Sequence, residues 1–383
     1  MKILFLVFHF PPISGGGVVV IVNIANTLAK LGHDVTIITP NLEWNGEKYD
    51  PELNSKITIH RIDVPSKSNL KIAARRSYKK IQTEAIKIGK QEKFDFILSI
   101  FHPFHLIPKA AVNAAEKLNI PSIIKIDDAV YEKSSGLKSI QRRIERAYNS
   151  KTLQKSSKIL VANEDTKEIV SSFYNVDKNK ISIIPNGVET KKFYSKKEKK
   201  KIVIFSGAMY QHRGIDILLE SLAKILLKIP DMKLQLLGNG PEKDRLERIV
   251  EERGFSKNVE FKGWIDREKI PEYLAESKIG IGPLRSTTVT KNALPIKILE
   301  YMASSLPIIS WENTLPKDVL KNGKNGFFVN SINELSEKII FLFENDATCL
   351  EFGEESKKIV SKYDWEDIVQ KIITEYKKIN FSS

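Results

Sequence analysis

Short β-branched runs that alternate with segments of helical spacing constrain this chain more than any other feature. The first half contains "KILFLVF", "DVTIIT", "ITIHRI", "FDFILSI", "PSIIKI", "KILVA" and "ISIIP", with helical-period stretches such as "VVVIVNIANTLAKLG" and "LIPKAAVNAAEKLN" between most of them. Runs of this kind imply parallel strands joined by crossover helices, and therefore doubly wound sheets. The pattern pauses at residues 191–201, "KKFYSKKEKKK", where no apolar face can form. It restarts with "IVIFSG", "KLQLLG", "VEFKG", "IGIGPL", "PIIS" and "GFFV". At 383 residues the chain is also too long for one ordinary core.

The expected fold is therefore α/β, with two Rossmann-like domains and a cleft between them. Residues 1–190 form the first, 191–201 a solvated basic linker, and 202–362 the second. Residues 363–383 carry an amphipathic helix with Trp365, Ile368, Ile372 and Tyr376 on one side, expected to pack back across the domain junction.

Charge narrows the partners. Lys and Arg number 61 against 47 Asp and Glu, a net charge of +14 that favours a polyanionic partner. The basic residues are dispersed without interleaved aromatics, so no specific nucleic-acid partner is expected. Cys349 is the single cysteine and excludes an internal disulfide. No run of about 20 apolar residues occurs, and the first strand is too short for a signal peptide, so a cytoplasmic location is expected.

In open parallel sheets ligands sit beyond the carboxyl ends of the strands. After the first strand, "HFPPISGGGVVV" places Gly15 and Gly16 where backbone N–H groups can approach a phosphate. The loop is not G-x-G-x-x-G, and no acidic residue ends "DVTIITP", which counts against a nicotinamide dehydrogenase. In the second half Gly207 relaxes a turn, and Arg213 offers a permanently charged fork suited to phosphate oxygens. "GNGP" sets Asn239 and Gly240 in a tight turn before Pro241, and "FKGWIDREKI" brings Trp264 and Ile265 to a strand end where a flat base can lie. "NALPIKILEYMA" reads as a loop and a helix, with Pro295 in its first turn. Lys297 and Glu300 on it form either an exposed pair three residues apart or part of an anion site at the helix N-terminus.

Six segments taken in order, "GGGVVVIVNIANTLAKLGHDVTIIT", "IIPNGVETKKF", "FSGAMYQHRGID", "LQLLGNGP", "VEFKGWI" and "LPIKILEYMASSLPII", resemble the family 4 glycosyltransferases of the GT-B fold over nearly the whole chain. The resemblance implies transfer of a glycosyl group from a UDP- or GDP-linked sugar to a glycan or lipid-linked acceptor, with retention of configuration and no metal or other cofactor. Gly15 and Gly16 stand in the places of the family's Gly pair. Glu300 matches the acid that holds the ribose hydroxyls, while Asn292 stands where a second Glu meets the donor sugar. An amide there still hydrogen-bonds hydroxyls but carries no charge.

Ala208 and Arg213 occupy the places of an Arg and a Lys, so Lys297 is expected to compensate. Arg213, Lys297 and the N–H groups of Ile298 and Leu299 would stabilise the leaving diphosphate. Asp127 and Asp128 replace the family's His-Asp and are candidate catalytic residues with Arg213 and Lys297. The alternatives are a sugar-nucleotide 2-epimerase of the same fold and a degraded sugar-nucleotide or glycan-binding protein.

For the acceptor, "NLKIAARRSYKKIQTEAIKI" spaces Leu70, Ala74, Ile81, Ala85 and Ile88 on one face among Lys71, Arg75, Arg76, Lys79, Lys80 and Lys87. Such a helix either lies on an anionic membrane surface, at the inner face of the cell membrane, or packs its stripe on the sheet. His9, Phe10, His102, Phe104 and His105 are candidates to face an acceptor.

Overall fold

The computed structural model describes residues 1–64, 73, 74, 76–102, 105–127, 137–287 and 289–380, the side chains of 137–142 and 380 excepted. Each of the thirteen runs named above is a strand. The chain divides into two compact units, one of residues 1–186 with 365–383 and one of residues 187–364.

In the first unit β1 (Lys2–Leu6), β2 (Asp34–Asn41), β3 (Ile57–Asp63), β4 (Phe96–Ile100), β5 (Ser122–Ile126), β6 (Lys158–Val161) and β7 (Ile181–Ile183) form one sheet in the order β3-β2-β1-β4-β5-β6-β7. All pairings are parallel. Its helices are α1 (Gly16–Lys30), α2 (Tyr78–Gln91), α3 (Ile107–Leu118), α4 (Leu137–Lys155) and α5 (Glu164–Tyr174).

The second unit holds β8 (Ile202–Ser206), β9 (Lys233–Leu237), β10 (Val259–Gly263), β11 (Ile279–Ile281), β12 (Ile308–Trp311) and β13 (Gly326–Val329) in the order β10-β9-β8-β11-β12-β13, again parallel. Around it lie α6 (Ile215–Lys228), α7 (Lys243–Glu252), α8 (Ile270–Glu276), α9 (Ile296–Ala303), α10 (Ile332–Glu344) and α11 (Asp346–Val360). Winding reverses between β1 and β4 in one sheet and between β8 and β11 in the other, the places where such sheets open a crevice. Alternation along β8 feeds both layers, with Val203 and Phe205 in one apolar core and Ile202 and Ile204 in the core against α9.

One expectation changes, and the closing helix and the stripe on α2 find their places. The basic stretch 191–201 is not a linker but part of the second unit, with most of its side chains still exposed. The backbone N–H groups of Lys196 and Lys200 donate to Ala275 and Glu276 at 3.3 and 2.9 Å, and Phe193 enters the core. Lys199 is half-buried, donating to the Ser304 and Ser305 carbonyls at 3.1 and 3.2 Å, and the desolvation pushes it down to about 8. Lysine stems bury readily when their ammonium groups find acceptors, which a count of charges hides.

The closing helix, α12 (Trp365–Asn380), belongs to the first unit. Trp365, Ile368, Ile372 and Tyr376 are buried, Tyr376 stacks on Phe96 at 4.7 Å, and Glu375 pairs with Lys158 at 2.9 Å. Tyr363 and Asp364 stay with the second unit, where the Tyr363 carbonyl accepts from the Val188 N–H at 2.9 Å.

The stripe on α2 is also spent. Ile81, Ala85 and Ile88 are buried in the first unit's core together with Ala74, so this face packs inward and is not available to a membrane. Leu70, Lys71 and Arg75 lie outside the described residues.

Candidate functional site

The loops after β8 and β11 meet at the reversal point of the second sheet. Gly207 has φ +121°, reachable without strain by glycine, and its N–H donates to the Leu237 carbonyl at 2.8 Å. The Asn239 carbonyl accepts from the Met209 N–H at 2.9 Å, and the Met209 carbonyl accepts from the Glu242 N–H at 3.1 Å. A Cβ on Gly238 would collide with the Gly207 carbonyl, and one on Gly240 with the Met209 backbone. Gly240 and Asn239 therefore interlock the loop after β9 with the loop after β8, while the space above Gly207 is open. Arg213 ends the short turn Gln211–Arg213, and its carbonyl accepts from the Leu284 N–H at 2.9 Å. Arg285 pairs with Asp216 at 2.7 Å and further ties the β11 loop to this turn.

Helix α9 brings its first two turns to the same edge. Lys297 inverts the usual habit of surface lysines: its stem is partly exposed, yet its ammonium nitrogen is enclosed and has no hydrogen-bond partner among the described residues. The nitrogen lies 3.5 Å from the centre of the Phe205 ring. Burial pushes Lys297 well below the usual lysine range; the Arg213 charge adds to this and Glu300 opposes it.

Glu300 is buried and ion-paired with Arg267, which sits in the turn after β10. Tyr301 is fully buried, its hydroxyl accepting from the Ser206 N–H at 2.7 Å, so α9 is pinned to the end of β8. Burial raises the Tyr301 phenol far above its ordinary value and keeps it neutral.

Other predicted residues take different parts. Ile298 and Leu299 are core residues, and the Ile298 N–H already donates to the Pro295 carbonyl at 2.9 Å, so that amide is occupied within the turn. Asn292 has φ +47° and donates its N–H to the Asn313 carbonyl at 3.1 Å. Asparagine tolerates this left-handed conformation better than most residues, which gives the position a conformational reason to be Asn. Trp264 is 37% exposed, and Ile265 packs at the rim of the α9 core.

At the reversal point of the first sheet the chemistry is neutral. Gly15 has φ +146° and caps α1, and the Cβ positions of Gly15 and Gly16 face open space. His105 stacks on His102 at 5.1 Å and on Phe8 at 5.0 Å, while His9 meets Phe8 at 4.7 Å. Burial lowers all three imidazoles, His9 to about 4, with neighbouring histidines adding to the effect at His9 and His105.

Asp127 is ion-paired with Lys125, which is fully buried and also donates to the Ile184 carbonyl at 3.4 Å. The expected catalytic carboxylate is thus the counter-ion of a buried lysine. Asp128 and Phe104 lie outside the described residues. Sequence reasoning missed Arg267, Lys125 and the Ser206–Tyr301 link. An Arg in "FKGWIDREKI" and a Lys inside the apolar run "PSIIKI" were the available signals.

Residues 14–192 match the model described as Glycosyltransferase Family 4, and residues 188–359 match that of Glycosyl transferases group 1. The chain belongs to the family 4 glycosyltransferases. This glycosyltransferase is 26% identical over 371 residues to an uncharacterized glycosyltransferase of Haemophilus influenzae, covering 96% of each chain. It is 23% identical to the alpha-monoglucosyldiacylglycerol synthase of Acholeplasma laidlawii over 87% of this chain and 86% of that one. Among solved structures, Anabaena Alr3699/HepE in complex with UDP and glucose superposes with a TM-score of 0.75 at 15% identity, over 99% of this chain and 100% of that one. The glycosyltransferase therefore has the GT-B fold.

Proposed function

We propose that this glycosyltransferase moves a sugar from a UDP- or GDP-linked donor to a hydroxyl of a glycan or lipid-linked glycan, with retention of configuration. The observation that carries the donor assignment is the enclosed, unpartnered ammonium of Lys297 beside Arg213, at a helix start on the carboxyl edge of the second sheet. A buried amine without an acceptor is costly unless an anion completes it.

In this reading the bond from the sugar carbon to the diphosphate oxygen breaks while a bond to the acceptor oxygen forms on the same face. The acceptor proton passes to the leaving phosphate oxygen. Lys297 and Arg213 meet the negative charge that grows on the diphosphate. Glu300 accepts from the ribose hydroxyls, and Trp264 and Ile265 lie against the base. Asn292 hydrogen-bonds the sugar.

The acceptor falls to the first unit, with Gly15 and Gly16 offering backbone N–H groups to a phosphate and His9 and His102 toward the acceptor. Two observations favour a peripheral contact with an anionic membrane at the inner face of the cell membrane. The relative from Acholeplasma laidlawii is named for a glycolipid product, and Ile144 is 66% exposed on the basic helix α4. No helix among the described residues is long and apolar enough to cross a membrane.

The pairing of Asp127 with Lys125 favours the second reading, a protein that binds the donor without turning it over. Calorimetry against UDP-, GDP-, ADP- and dTDP-sugars and their parent diphosphates tests the donor site, with binding expected for one base and tighter binding for one sugar. An absence of binding across the panel would overturn it. Binding followed by turnover only with an acceptor supports the transferase. Isomerisation without acceptor would mark an epimerase, and binding with no turnover the degraded reading.

A further inference from the structure

Lys297 and Glu300 lie one turn apart on α9, at the spacing where opposite charges normally pair. They do not pair. Among the described residues the Lys297 ammonium has no hydrogen-bond partner, although it is enclosed against the Phe205 ring and within electrostatic reach of Glu300. The Glu300 carboxylate is taken instead by Arg267, from the turn that follows β10. An arginine is suited to win this contest, because its planar guanidinium matches a carboxylate and never loses its charge. Among the described residues, the other charged and titratable groups that act on Lys297 are Arg213 and His212, both in the β8 turn, and neither can supply it with a counter-charge. Glu300 is thus the one anion among these neighbours that can close the site, and Arg267 holds it.

We propose that Arg267 is a positioning residue that keeps Glu300 off Lys297, so that the Lys297 ammonium stays available for a diphosphate. The inference rests on the donor reading above. Removing Arg267 leaves a buried carboxylate beside a buried, unpaired ammonium, and the two collapse into an ion pair within the helix. The diphosphate then has to compete with an internal carboxylate for the same cation. Arg267 need not touch the diphosphate for its loss to weaken diphosphate binding.

Calorimetric titration with inorganic pyrophosphate, which has no ribose for Glu300 to hold, tests this. Arg267→Met is expected to lower pyrophosphate affinity about 10- to 100-fold, the range seen when a buried charge pair is rearranged. Adding Glu300→Gln in that background is expected to restore affinity to within about threefold of Glu300→Gln alone, because the competing carboxylate is gone. A double variant no better than Arg267→Met would mean that Arg267 acts only by holding the fold, and would overturn the proposal.

A second readout needs no ligand. In a crystal structure of Arg267→Met, Glu300 is expected in ion-pair contact with Lys297, and a Glu300 carboxylate that stays away from Lys297 would overturn the proposal. Failure of the wild-type protein to bind pyrophosphate or any nucleoside diphosphate would defeat the donor reading itself, while the ligand-free structure would still decide the Glu300 contact.

Discussion

Two lysines with enclosed ammonium groups sit near the carboxyl ends of the two sheets and have opposite surroundings. Lys125, ending β5, is neutralised by Asp127 and the Ile184 carbonyl. Lys297, opening α9, is enclosed without a hydrogen-bond partner, and the carboxylate one turn away is held elsewhere. A buried charge that is paired within the protein contributes to the fold, whereas one kept apart from its obvious counter-ion stores affinity for an outside anion. The same residue type is therefore structural in one unit and points to a ligand in the other.

The largest expected effect is on the paired lysine. Asp127→Ala strands the Lys125 charge and should cost about 3 kcal/mol of stability in denaturant unfolding, while nucleotide affinity changes little. Equal damage to binding and stability would erase the contrast. Lys297→Met should do the reverse, lowering turnover about 100-fold while leaving the unfolding midpoint unchanged or higher. Loss of stability comparable to that of Asp127→Ala would mean that Lys297 too is structural.

The neutral histidines sharpen the comparison through pH. His9 is held at about 4 against an ordinary 6.5, first by burial and then by His102. Between these values the unfolded chain takes up a proton that the folded chain refuses. Stability is full above the ordinary value and falls as pH drops through the window, by about 2 kcal/mol after allowing for partial exposure. His9→Gln should flatten that slope in urea melts run from pH 7 to 4, and an unchanged slope would assign the loss to other groups. The smallest effect expected is that of Asn292→Glu, about 1 kcal/mol of stability from its left-handed backbone, together with a shift in donor preference measured by competition between donor sugars.

Much of the architecture is legible in the sequence. Strand period, crossover length and turn composition are local properties, and all thirteen strands follow from them. Loops that end strands beside a reversal point also carry the donor candidates, because sheet topology sends them there. What was misread or left open depended on partners distant in sequence. The stretch 191–201 looked soluble because its lysines could not be matched to the Glu276 carboxylate or to the carbonyls closing α9. The stripe on α2 could face lipid or core with equal logic until α3 was seen beside it.

Sequence alone determined that this protein has two parallel α/β units, that its second unit presents Arg213, Lys297 and Glu300 at strand and helix ends, and that it resembles a glycosyltransferase. Only the tertiary structure decided which charges meet. Arg267 and Glu300 are 33 residues apart and are joined by the route from β10 to α9, whereas Lys297 and Glu300 are adjacent on one helix and remain apart. The physical reason is that burial makes an unmet charge costly but leaves the choice of partner to three-dimensional reach, which spacing along a chain does not encode.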